Sequence, residues 1–149
     1  MSAYAVTYQR TASATLSVGS FVANATRPRR AKWYDVEFGS EATAADNPFL
    51  YVLQRCTAAG TSTAVTPQPL DPADAATEST AGQNHTVEPT YTAAAIMYRL
   101  ALNQRATFRW VARDGKEIVT PATASNGLGI QTPTAGLVAV TVTAHIEEQ

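Results

Sequence analysis

Thr92–Thr120, TAAAIMYRLALNQRATFRWVARDGKEIVT, decides the fold. Ile96, Tyr98, Leu100 and Leu102 alternate with Met97, Arg99 and Ala101, the period of a strand with one buried face. Ala93-Ala94-Ala95 and Leu100-Ala101-Leu102 would also suit a helix, but the next run is plainly extended. There Phe108, Trp110 and Ala112 alternate with Arg109, Val111 and Arg113. Asp114-Gly115 is a hairpin signal, since a tight I′ turn needs positive φ at both centres. Glu117 to Thr120 supplies the returning strand, ended by Pro121. The stretch therefore predicts the central meander of an all-β domain, with Phe108 and Trp110 facing the core.

Strand patterns continue on both sides. In RAKWYDVEF (residues 30–38), Tyr34, Val36 and Phe38 share one face, and Trp33, Asp35 and Glu37 the other. FLYVLQRCT (residues 49–57) is a short apolar run of the kind found in buried strands. LGIQT, after Asn126-Gly127, makes another strand, and Pro133 and Gly136 break the chain. LVAVTVTAHIE (residues 137–147) closes it. Val138, Val140, Val142, Ala144 and Ile146 take one face there, and Thr141, Thr143, His145 and Glu147 the other. Tyr4, Val6 and Tyr8 alternate within Ala/Thr/Ser-rich residues 1–29, which are read as an N-terminal arm or edge strands, with Gly19 breaking the run from Thr15 to Val22. Residues 30–149 form the β domain. SEATAADNP and DPADAAT read as short helical turns, with Ser40 and Asp71 as caps. AAGTSTAVTPQPL reads as a loop or weak strand, and ESTAGQNHTVEP as an exposed polar loop. About eight strands at this spacing predict a β-sandwich, with a jelly roll as the natural arrangement.

The totals limit the function classes. The chain has 149 residues, formal net charge −1 and 15% charged residues. One domain with a real core follows from that length. No global field draws it to nucleic acid or membrane. A surface poor in charge and rich in Thr and Ala suggests cover by neighbours. Cys56 is the single cysteine, so no intrachain disulfide forms, and its apolar run makes it a buried small hydrophobe. The first ten residues lack the pattern of a secretory signal, and no apolar run approaches the ~20 residues of a membrane helix. The expectation is a soluble protein made in the cytoplasm.

The chain carries few chemical motifs. Gly60-Thr-Ser62-Thr-Ala64 lacks the last glycine of a nucleophile elbow and has Pro67 and Pro69 close behind. His145 and Glu147 share a strand face but make an incomplete metal site, with His85 far off in a polar loop. Asp35 and Glu37 read as the polar face of a strand rather than an acid–base pair. No glycine-rich phosphate loop is present. Arg99, Arg105, Arg109 and Arg113 gather in the central stretch, with Arg109 and Arg113 on one face. Stacking of RNA bases on neighbouring aromatics is the alternative reading. Neutral charge and core-facing aromatics favour arginines that meet carboxylates at a subunit surface. The one basic cluster, TRPRRAK, carries Arg27, Arg29, Arg30 and Lys32, with Pro28 keeping it out of regular pairing.

RAKWYDVEFGSEATAADNPF, LQRCTAAGTSTAVTPQPLDPADAAT and LNQRATFRWVARDGKEIVTPATASNGLGIQT together resemble the jelly-roll capsid decoration, or cement, proteins of tailed bacteriophages. The likeness covers roughly residues 30–148, and residues 1–29 carry none of it. It implies a non-enzymatic protein without cofactor, metal or small-molecule substrate. Such a protein sits on the outer capsid surface of the virion, binds the major capsid protein as a homotrimer, and bridges capsomers to stabilise the expanded shell. It contacts neither nucleic acid nor membrane. On that reading Arg27, Arg29, Arg30 and Lys32 are capsid-contact candidates. Trp33, Tyr98, Arg109, Arg113 and His145 are subunit-interface candidates. Two other classes stay open: a virion fibre, knob or tail module binding a receptor or carbohydrate, and a cupin-like metal enzyme, for which two histidines are few.

Overall fold

A computed structural model describes residues 1–134 and 138–149. Gly136 and Leu137, expected as a break and a strand start, lie outside the described residues. Two antiparallel sheets face one another as a β-sandwich. No helix occurs among the described residues. The first sheet holds β1 (Ser2–Thr11), β3 (Ala31–Ala42), β6 (Gln68–Pro69), β9 (Phe108–Val111), β10 (Ile118–Thr120) and β12 (Ala139–Glu148). Its order is β10-β3-β12-β1-β6, with β9 also on β3. The second holds β2 (Gly19–Val22), β4 (Pro48–Ala58), β5 (Thr61–Val65), β7 (Thr80–Val87), β8 (Thr90–Asn103) and β11 (Gly127–Gln131), in the order β5-β7-β2-β11-β4-β8.

Alternation explains the core. In β12, Val140, Val142, Ala144 and Ile146 are buried on the expected face. Val6 and Tyr8 of β1 join them, with Phe38 of β3 and Phe21, Phe49, Tyr51, Leu53, Leu128 and Ile130 of the second sheet. Each large apolar side chain buried in this way contributes roughly 1.5–3 kcal/mol. Phe38 and Tyr51 meet across the sheets at 5.1 Å between ring centroids.

The structure corrects several expectations. Residues 1–29 contribute strands rather than an arm, and neither strand lies at a sheet edge. All ten residues of β1 pair with β12, from Ser2 opposite Glu148 to Thr11 opposite Ala139, and β2 lies between β7 and β11. Burial of Tyr4, Val6 and Tyr8 drives this docking. Gly19 begins β2 rather than breaking a strand. A Cβ there would lie 2.3 Å from the buried Tyr8 ring, so the close approach of β2 to β1 requires glycine.

The central meander does not form. β8 pairs with β4 in the second sheet, whereas β9 and β10 pair with β3 in the first. The Asp114-Gly115 turn is real, with Gly115 at φ 73°. Its flanking strands nevertheless follow one another along β3 instead of pairing together. The polar loop expected before Pro89 contains strand β7, buried at Ala81, Gly82 and His85. Neither short helical turn forms. Ser40 to Ala42 belong to β3, and Asp71 instead accepts a hydrogen bond from the Ala73 N–H at 2.9 Å in a local turn.

Trp33 lies in the core rather than on a subunit surface. The register of β3 against β12 slips between Asp35 opposite His145 and Trp33 opposite Ile146, leaving Tyr34 as an extra residue. Such a bulge rotates the residues before it by one face. Trp33 thereby joins Val36 and Phe38 indoors, fully buried and edge-on to Phe21 at 5.9 Å.

Candidate functional site

The bulge at Tyr34 also assembles the densest polar group on the outer face of the first sheet. Asp35 of β3 lies opposite His145 of β12 and Val111 of β9. Arg109, two residues before Val111, therefore reaches it along the sheet. The Asp35 side chain is only 5% exposed. Its Oδ1 accepts from Arg109 Nε at 2.9 Å, and its Oδ2 from Arg109 Nη2 at 2.5 Å. His145 Nδ1 lies 3.1 Å from the same Oδ2. The His145 ring stacks on Tyr34, 6.2 Å between centroids and 21° from parallel.

Electrostatics follow from these contacts. The Arg109 guanidinium, more than the opposing cost of burial, holds the Asp35 carboxyl below the usual carboxylate range. The His145 bond adds to this. Burial pushes the Tyr34 hydroxyl up, with Asp35 and Glu147 adding to it. Asp35 and His145 resemble two members of a nucleophilic triad. Among the described residues no serine, threonine or cysteine hydrogen-bonds to His145, and the bidentate arginine occupies the carboxylate. The arrangement suits a fixed, charge-compensated surface that ties β3, β9 and β12 together.

Beside it opens a cavity of about 350 Å³, lined by Tyr34, Val111, Ala112, Asp114, Glu117 and Glu147 among others. A second, of about 320 Å³, lies by the chain ends, with Tyr4, Arg29, Glu78 and Glu148 in its wall. Glu148 is a hub that the sequence did not announce. Its carboxylate accepts from Thr77 Oγ1, the Glu78 and Ser79 N–H groups and Ser79 Oγ, at 2.6–3.0 Å. It clasps β12 to the segment that enters β7.

The predicted contact residues separate. Arg27 pairs with Glu78 at 3.1 Å, both side chains near the surface. Arg29 and Arg30 are exposed, and among the described residues neither has a carboxylate within 4.0 Å. The Arg30 backbone is held, since its C=O accepts from Gln149 N–H at 2.8 Å and Ala31 opens β3. Lys32 lies opposite both Glu147 and Val119 in the sheet.

Of the interface candidates, Arg109 and His145 come together on Asp35, whereas Arg113 stays exposed at the turn. Tyr98 packs inward, stacked on Phe38 at 6.3 Å and against Trp110 at 5.7 Å. Trp110 faces the core side as expected, but Phe108 remains 39% exposed.

The other chemical candidates resolve simply. Among the described residues no three His, Cys, Asp or Glu side chains gather as metal ligands. Ser62 lies within strand β5, not on a sharp strand-to-helix turn. Cys56 is buried, and burial pushes its thiol up to about 11. His85 is fully buried, with Nε2 at 3.0 Å from both Ser20 Oγ and Ala59 C=O. Among the described residues no helix is long and apolar enough to cross a membrane. Compared with protein-family models, curated proteins and solved structures, the chain finds no match in any of the three.

Proposed function

We propose that this chain is a non-enzymatic, jelly-roll-like decoration subunit of a phage virion. It seats on the outer surface of the head, binds the major capsid protein and strengthens the expanded shell. The observation that carries this reading is the exposed Arg29–Arg30 pair, tied at the Arg30 carbonyl to Gln149 and leading into β3. Arginines without a carboxylate of their own, on the segment that leads directly into β3, suit bidentate pairing with an acidic protein surface. The resemblance of residues 30–148 supplies the identity of that surface. Many copies on one shell turn modest contacts into stable coverage.

Co-sedimentation of the purified protein with expanded and with immature shells tests the reading. Saturable binding to expanded shells alone is expected. The double substitution Arg29→Glu, Arg30→Glu should abolish it, whereas Arg27→Glu, at a residue already paired with Glu78, should weaken it less. No binding to either shell, combined with retention on an immobilised glycan array, would move the protein to the receptor-binding class.

A further inference from the structure

Strand β8 is the long open edge of this molecule. It has 14 residues and, among the described residues, pairs with β4 alone. The other edges are blunted. β6 has two residues and ends on Pro69, and β5 has five with an interrupted register. β9 and β10 are four and three residues long on the same side of β3. Short strands, proline and bulges are the usual protections of a sheet edge. β8 carries bulges up to Ile96 and positive φ at Ala94, but from Tyr98 to Asn103 it runs in regular register with Leu53 to Pro48. That regular part holds a single charge, Arg99, and no proline.

The rim beside it is apolar. Tyr98, Leu100 and Leu102 point inward but are only partly buried. Trp110 packs on Tyr98, and Phe108 lies exposed two residues earlier in β9. A further strand along β8 would satisfy its free backbone groups and cover this rim.

We infer that the occupant is a second copy of this chain, its β8 pairing antiparallel with the first across a twofold axis. Two β8 edges match in length and regular register, and among the described residues no other edge strand is as long. The symmetry fixes the register further. Opposite residues of an antiparallel pair project to the same face, so inward residues must meet inward residues. Placing the axis at Leu100 sets Leu100 against its own copy and Tyr98 against Leu102. Arg99 then lies opposite Ala101, away from its own copy. An axis at Arg99 would oppose two like charges. The pairing does not depend on the capsid reading, and shell binding by a monomer would leave that reading intact.

The test is the mass of the protein in solution across a dilution series, with two substitutions at exposed Ala101. The wild type should be a dimer that dissociates on dilution. Ala101→Arg places a cation opposite the partner's Arg99 twice and should weaken the dimer roughly tenfold, whereas Ala101→Asp should tighten it by a comparable factor. A monomer at all concentrations, a trimer, or equal effects of both substitutions overturns the proposal. Hydrogen exchange of the unaltered protein gives a second reading. Amides within Tyr98–Asn103 should gain protection as concentration rises, and concentration-independent exchange there overturns the pairing.

Discussion

Arg109 grips Asp35 with two nitrogens, Nε on one carboxylate oxygen at 2.9 Å and Nη2 on the other at 2.5 Å, although the strands bearing them are 74 residues apart in sequence. The carboxylate is buried and the guanidinium 60% exposed. Asp35 thus depends on Arg109 more than Arg109 depends on Asp35. Since the Asp35 pKa is depressed in the folded chain, its contribution is present above the ordinary carboxylate range and is lost as pH falls through its lowered value. Thermal melts of the wild type should fall through that acid window. Asp35→Asn should melt lower at neutral pH, by an order of a few degrees, and lose that part of the acid dependence.

Glu148 closes the C-terminal strand against residues 77–79 through four accepted hydrogen bonds. Glu148→Ala strands the Glu78 N–H and leaves the Ser79 N–H only its 3.2 Å bond to Thr77 Oγ1, and should cost about 2–4 kcal/mol, since bonds to a charged acceptor are the stronger kind. Denaturant unfolding gives the loss. Hydrogen exchange should localise it to the Glu78 and Ser79 amides.

Trp33 is a core residue, so Trp33→Ala should destabilise by about 3–5 kcal/mol through the cavity it leaves. A residue on a subunit surface would instead change mass in solution with little change in the melting of the monomer.

Two glycines in β11 separate backbone from side-chain crowding. A Cβ at Gly127 would lie 2.0 Å from the Phe21 carbonyl oxygen, and one at Gly129 would lie 2.1 Å from the Tyr91 hydroxyl. Overpacking costs roughly 1–3 kcal/mol where neighbours can move, and more where they cannot. Gly127→Ala should therefore be the more damaging by equilibrium unfolding. Tyr91→Phe removes the nearest clashing atom but leaves two ring carbons at 2.7 Å, so it should soften Gly129→Ala in part and Gly127→Ala not at all.

Cys56 should resist thiol reagents in the folded protein at neutral pH, because it is buried and its thiol is pushed up to about 11. Ellman titration should give one equivalent only after denaturation.

The sandwich is legible wherever one face of a strand reads as apolar, as in β12, where the four inward positions from Val140 to Ile146 are all buried. Strand partners are not. Asp114-Gly115 specifies that the chain turns, while the pairing of β9 and β10 with β3 depends on long-range packing that a local signal does not carry. β7 escaped notice because its buried face holds Ala81 and His85, small or polar residues covered by tertiary contacts. Strict alternation puts Trp33 on the outer face, because it cannot register the extra residue at Tyr34. The same bulge hid the site. Arg109 and His145 stood out by residue type, but their meeting on Asp35 needed the register of three strands.

The pairing of β1 with β12 sets a schedule as well as a shape. Glu148 lies opposite Ser2. During synthesis β1 emerges long before β12, its only long partner among the described strands, so closure of the first sheet waits on a distant strand and comes late. Until then Tyr4, Val6 and Tyr8 are an apolar row without cover. That interval is when copies made side by side are most exposed to mispairing through one another's strands.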